Sequence, residues 1–192
     1  MYILLTGLLI FFACHTFRWL TPYYRDRLIS LLGMRGYKAL YSVISLIALI
    51  FIIWGYSLSR ADPVLLWLPP IWTRHLAALL MLPAMILLIA TYLPGTYLKA
   101  RLHHPMLLAV KTWALAHLIS NGTLADVILF GSFLIWAIAG FIYCRREDNL
   151  KGFSAPPGRV RRDMLALFSG VFLYFVFTFY LHELLIGVRP FT

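Results

Sequence analysis

Apolar residues gather along this chain into six runs, each closed by charge or by Pro/Gly punctuation, with approximate bounds 2–18, 37–58, 74–92, 105–120, 124–143 and 164–185. A helix that crosses hydrocarbon needs about 20 such residues, within a range of about 17 to 25. The pattern therefore predicts an all-α fold, a polytopic bundle of about six transmembrane helices. The first and fourth runs are short, and a five-span version with the fourth as a re-entrant or interfacial piece stays open. Pro83 interrupts the third run and predicts a kink there, because a mid-helix proline loses one backbone bond and clashes with the preceding turn. Pro105 suits the first turn of the fourth run, where a missing N–H costs little, and Asn121-Gly122 stops it as a tight turn.

Composition sharpens this picture. The 192 residues are 62% hydrophobic and 12% charged, with a mean hydropathy of +0.84, whereas soluble domains are about half apolar and about a quarter charged. The expectation is one integral membrane domain over residues 1–192, with the lipid bilayer as its first partner. In a soluble protein the net charge of +10 would suggest nucleic acid; in a membrane protein it reports basic loops facing the cytoplasm, so no nucleic-acid partner is expected. Thirteen of the 17 Lys and Arg fall in or beside the first, third and fifth loops and three on the other side, which places both termini outward. The N-terminus lacks a basic leader and a small-residue cleavage site, so the first run is expected to be retained as a span. Cys14 and Cys144 show no paired spacing, which argues against a disulfide framework or a C-x-x-C metal site. The segment 145–163, with Pro156-Pro157 and the basic run 158–162, is the only sizeable soluble piece, and its cations suit anionic headgroups.

Six histidines, His15, His75, His103, His104, His117 and His182, are the sharpest chemical signal. Ionisable groups within spans usually face a protein interior, a ligand or a water path. Neutral imidazole is the commonest metal ligand, and haem iron in a helical bundle takes axial ligands from facing helices. The competing use is a hydrogen bond across helices, and His103 looks interfacial. Trp113 stands one turn before His117 on the same face. No H-E-x-x-H pattern occurs, so a hydrolytic zinc site is poorly supported; His182-Glu183 is the one close acid–imidazole pair by sequence. Lys111, inside the fourth run, either snorkels along its stem or lines a polar cavity. Gly131, Ala137 and Gly140 would let helices approach closely.

His104-Pro105, then Trp113-Ala114-Leu115-Ala116-His117, Asn121-Gly122 and Leu129-Phe130-Gly131 resemble the NnrU family of bacterial membrane proteins, itself related to the plastid 15-cis-zeta-carotene isomerases. The likeness extends to His15 ahead of Arg25-Asp26-Arg27, to Arg35-Gly36 and Tyr41-Ser42, and to the ending His182…Ile186-Gly187-Val188, so it covers nearly the whole chain. It implies a multi-pass protein of the bacterial inner membrane. In the isomerase branch it also implies haem b and a cis-to-trans isomerisation of a polyene without net redox change, with a hydrophobic small molecule as substrate. Carried over by position, the haem ligands fall on His15 and His117. That branch has a cysteine three residues before the second histidine, where this chain has Ala114. Depth along the spans offers other pairs, His15 with His104, and His117 with His75 or His182, and these stay open. The alternative implied by the family name is a non-catalytic membrane factor that supports assembly or haem supply of nitrite and nitric oxide reductases in denitrification. Substrate and oligomeric state are not legible, and no Gly-rich phosphate loop points to a nucleotide.

Overall fold

A computed structural model of the chain describes residues 1–153 and 157–191; Pro156 of the Pro156-Pro157 stop lies outside them. The fold is all-α, with α1 (Tyr2–Leu20), α2 (Pro22–Ala61), α3 (Trp72–Tyr92), α4 (Tyr97–Leu102), α5 (Pro105–Ser120), α6 (Leu124–Leu150), α7 (Val160–Val176), a π-helical turn (Phe177–Leu181) and α8 (His182–Ile186). Among the described residues the only β-type pairing is the isolated bridge Leu65–Thr123. Four single helices (α1, α2, α3 and α6) and the continuous run Val160–Ile186 are long and apolar enough to cross a membrane. The fourth expected span, α5, has 16 residues, about 24 Å at 1.5 Å per residue, against about 30 Å of hydrocarbon. The exposed side chains suit such a medium: Val43, Leu46, Ile47, Ile50, Ile53 and Trp54 on α2, and Phe168, Phe172, Phe175 and Phe179 on the last run, are all exposed. Apolar stripes at helical spacing on the outside belong in lipid.

The chain divides into two compact units. The first comprises residues 1–66 and 123–132, hence α1, α2 and the opening turns of α6. Its centre is an antiparallel hairpin in which Leu4 meets Gly55, Gly7 meets Ile52 and the Cys14 thiol lies 3.6 Å from Ser45 Oγ. At both glycines the backbones approach so closely that a Cβ would overlap the facing helix. Thr21 makes the corner between the helices: its hydroxyl donates to Phe17 O at 2.8 Å, and Pro22 opens α2 at a position that needs no N–H. The basic stretch expected as a loop is helical, because α2 begins fifteen residues before the expected span and only breaks at Gly33, with φ 71°. Its second leg is the span.

The second unit comprises residues 67–122 and 133–191 of the described chain. Here α3 packs along both α5 and α7, and Gly170 of α7 sits against the Ile86 backbone. The start of α7 is tied to the turn before α4. Asp163 accepts from the N–H groups of Tyr97 (2.8 Å) and Leu98 (3.0 Å), and the Arg162 guanidinium donates to Pro94 O. Thr96 completes the cap by accepting from Lys99 N at 3.0 Å. These bonds satisfy the orphan donors of the first α4 turn. Pro83 is accommodated inside the continuous helix α3. Close approach by glycine occurs at Gly7, Gly55 and Gly170; a Cβ on Gly131, expected as a packing residue, would meet nothing within 4 Å.

Candidate functional site

His15 is half-buried on α1 of the first unit. Its Nδ1 lies 2.8 Å from Phe11 O, and its ring stacks on Phe11 with centroids 3.8 Å apart at 18° and meets Tyr41 of α2 at 5.2 Å. A carbonyl oxygen only accepts, so Nδ1 carries the proton and, in the neutral ring, Nε2 carries the lone pair. Beside it on α1, Leu9, Phe12, Ala13, Thr16 and Leu20 line an apolar groove of about 410 Å³.

His117 repeats this arrangement in the second unit. Its Nδ1 lies 2.9 Å from Trp113 O, its ring is 5.4 Å from Trp113, and Trp113 meets Phe133 edge-on at 5.5 Å. The expected one-turn relation of Trp113 and His117 is present. Asn121 closes the helix below it by donating from its backbone N (3.0 Å) and Nδ2 (2.9 Å) to His117 O. Ala114, on the turn before His117, is fully buried.

The other histidines separate by their bonds. His182 follows the π-helical turn; its Nδ1 lies 2.7 Å from Val188 O and its ring meets Phe177 at 6.0 Å. The His182-Glu183 pair suggested by adjacency does not form, since Glu183 pairs with Arg189 at 2.8 Å. Successive residues on a helix point about 100° apart, and the acid turns away from the imidazole. His75 stacks on Phe191 at 6.4 Å.

His103 and His104 are the two histidines of the second unit brought to a common partner. Asp148 Oδ2 lies 2.8 Å from His103 Nδ1 and 2.9 Å from His104 Nε2. His103, expected at the interface, therefore has a carboxylate partner. It also carries the one positive φ among the described non-glycine residues, 63° with ψ −50°, and His104 N donates back to Leu102 O at 2.7 Å. That i to i+2 bond at positive φ is a γ-turn of the rare, strained kind. The shared carboxylate holds the strained turn, which in turn aims α5 from its Pro105 start. Sequence reading overlooked Asp148; the signal was that both expected cytoplasmic loops, the third and the fifth, carry these residues. Asp148→Ala is expected to destabilise the unit by about 2 kcal/mol, the scale of a hydrogen bond to a charged group. His103→Gly should add to the loss in the native background but recover about 1 kcal/mol in the Asp148→Ala background, where only the strained φ remains. Thermal unfolding of the four proteins checks the change of sign.

Among the described residues no three His, Cys, Asp or Glu side chains converge as ligands of one ion. A macrocycle-bound iron asks less of the protein, one or two axial donors. On donor chemistry His15, His117 and His182 each place Nδ1 against a backbone carbonyl, whereas His104 places Nε2 on Asp148. No curated protein and no solved structure matches the chain. The sequence model of the family described as NnrU protein matches residues 3–190, all six histidines included, and the chain belongs to that family.

Proposed function

We propose that this chain is a membrane haem b protein with His15 and His117 as its iron ligands, and that it acts on a hydrophobic polyene from the bilayer as a cis-to-trans isomerase. The observation that carries this reading is the shared tautomer: each imidazole donates Nδ1–H to the carbonyl four residues earlier in its own apolar helix, at 2.8 and 2.9 Å. That bond fixes the ring, raises the basicity of Nε2 and orients it as a ligand. Bound there, haem supplies a Lewis-acidic or transiently electron-donating iron, which suits isomerisation without net redox change. The protein's own part is to hold the two rings. Phe11 and Tyr41 brace His15, and Trp113 braces His117. With Ala114 in place of a cysteine, no thiolate competes for the His117 side. The setting proposed is the bacterial inner membrane.

The test is the visible spectrum of detergent-purified protein from haem-replete cells, oxidised and dithionite-reduced. A Soret band with sharp reduced α and β bands is expected, lost or shifted in both His15→Ala and His117→Ala and retained in His75→Ala, His104→Ala and His182→Ala. A colourless native protein overturns the reading. A haem-loaded protein that leaves cis-polyenes unchanged would instead favour the accessory role in reductase assembly or haem supply.

A further inference from the structure

Lys111 lies seven residues into α5, inside an apolar helix, and is half-buried. Its ammonium sits over the Phe141 ring, 5.1 Å from the centroid, and among the described residues it makes no hydrogen bond and no ion pair. Lys111 and His104 are two turns apart on one face, and a helical side chain leans toward its own N-terminus. The ammonium thus reaches back toward His104, whose ring meets the same Phe141 edge-on at 6.3 Å.

Among the described residues no carboxylate of this unit pairs with the Lys111 ammonium. Asp148 holds His103 and His104, Glu147 pairs with Lys151, Asp163 caps α4, and Glu183 pairs with Arg189. A cation within a helix that lies in hydrocarbon needs a counter-charge, and residues of this kind mark ligand sites. The ring face attracts the ammonium but supplies no negative charge. A simple snorkel would carry the head away from the packed rings; here it stays on Phe141.

We propose that Lys111 is the recognition point for the anionic head of an amphiphile, a carboxylate or phosphate joined to an apolar body, that comes to α5 and α6 from the membrane. Two sources offer that chemistry, a haem propionate and a phospholipid headgroup; the haem source rests on the function proposed above, the anion site does not. Phe141 positions the ammonium, and the Asp148 carboxylate is taken up by its hydrogen bonds to His103 and His104, so the Lys111 ammonium is left to meet the incoming anion.

The experiment uses the full chain in nanodiscs, native and as Lys111→Met and Lys111→Arg, with equal unfolding temperatures as the folding control. In one arm apo-protein is titrated with haem and with haem dimethyl ester, whose propionates are blocked. In the other, retained phosphatidylglycerol is compared with retained phosphatidylcholine by mass spectrometry. A propionate source predicts that native protein prefers haem to its ester by about tenfold or more, the scale of one charge-assisted hydrogen bond, and that Lys111→Met abolishes the preference while Lys111→Arg keeps it. A lipid source predicts the same pattern for phosphatidylglycerol. If haem binds in neither form, the haem reading fails and the lipid arm alone decides. Native and Lys111→Met proteins with the same preference in both arms overturn the proposal.

Discussion

Gly55→Leu is expected to cost the first unit at least about 3 kcal/mol and to lower its apparent unfolding temperature by roughly 10 °C. The reason is backbone, not side chain. A Cβ at Gly55 would lie 2.3 Å from Leu4 N and 2.6 Å from Leu4 Cα, and one at Gly7 would lie 2.7 Å from Ile52 N. Flexible tips can rotate away from a new atom; helix backbone cannot, so α1 and α2 must separate along their length. In lipid, close approach through small residues is a main source of helix association, and separation forfeits it at every level of the seam. The seam also sets His15, which lies one residue beyond the Cys14–Ser45 contact and against Tyr41. On the haem reading proposed above, Gly55→Leu is expected to reduce haem retention as well as stability. Gly131→Ala is the control: open space surrounds that Cβ, and alanine favours the helix by about 0.5–1 kcal/mol. Thermal unfolding of both variants beside the native protein decides it, and an unchanged Gly55→Leu midpoint would remove the seam as the organising contact.

Much of the fold is legible because apolar run length is dictated by the bilayer. The fourth run was bounded at 105–120 by Pro105 and Asn121-Gly122, and α5 occupies those residues. Where charge was taken as the end of an element, the reading stopped short. α6 runs on from the expected 143 to Leu150, because Arg145, Arg146 and Glu147 are good helix formers and a helix leaving hydrocarbon need not break. The same applies to the basic leg of α2. Pairings over long separations were not legible: nothing local tells Asp148 to hold two imidazoles 44 and 45 residues away, or His103 to take a positive φ. The Gly131 role failed for the same reason, since the register of one helix on another decides whether Gly7, Gly55 or Gly131 meets a backbone. Of the histidines, residue type and spacing marked the candidates, but only bonding geometry separated those presenting Nε2 from the pair on Asp148.

The acid that matters most to the first unit was not singled out at all. Asp126, 4% exposed, accepts from Thr123 N at 3.0 Å and Thr123 Oγ1 at 2.6 Å, while Asp126 N donates to Thr123 Oγ1 at 3.3 Å. This is a reciprocal cap on the first turn of α6, where a carboxylate also suits the helix dipole. Its other oxygen accepts from Tyr56 OH of α2 at 2.6 Å, and Leu124 N donates to Val64 O at 2.8 Å just before it. One side chain thus joins the end of α2 to the start of α6. Asp126→Ala removes the cap, worth about 1 kcal/mol, and the hydrogen bonds to a charged acceptor, about 1.5–3 kcal/mol. It also strands the Tyr56 hydroxyl, so a total near 4 kcal/mol is expected. Tyr56→Phe alone should cost about 1–2 kcal/mol, but almost nothing once Asp126 is alanine, because the bond it removes is already gone. The cycle built from these two variants, read by thermal unfolding, should therefore be non-additive by about 1–2 kcal/mol. Additive losses would mean that the hydroxyl and the carboxylate act separately.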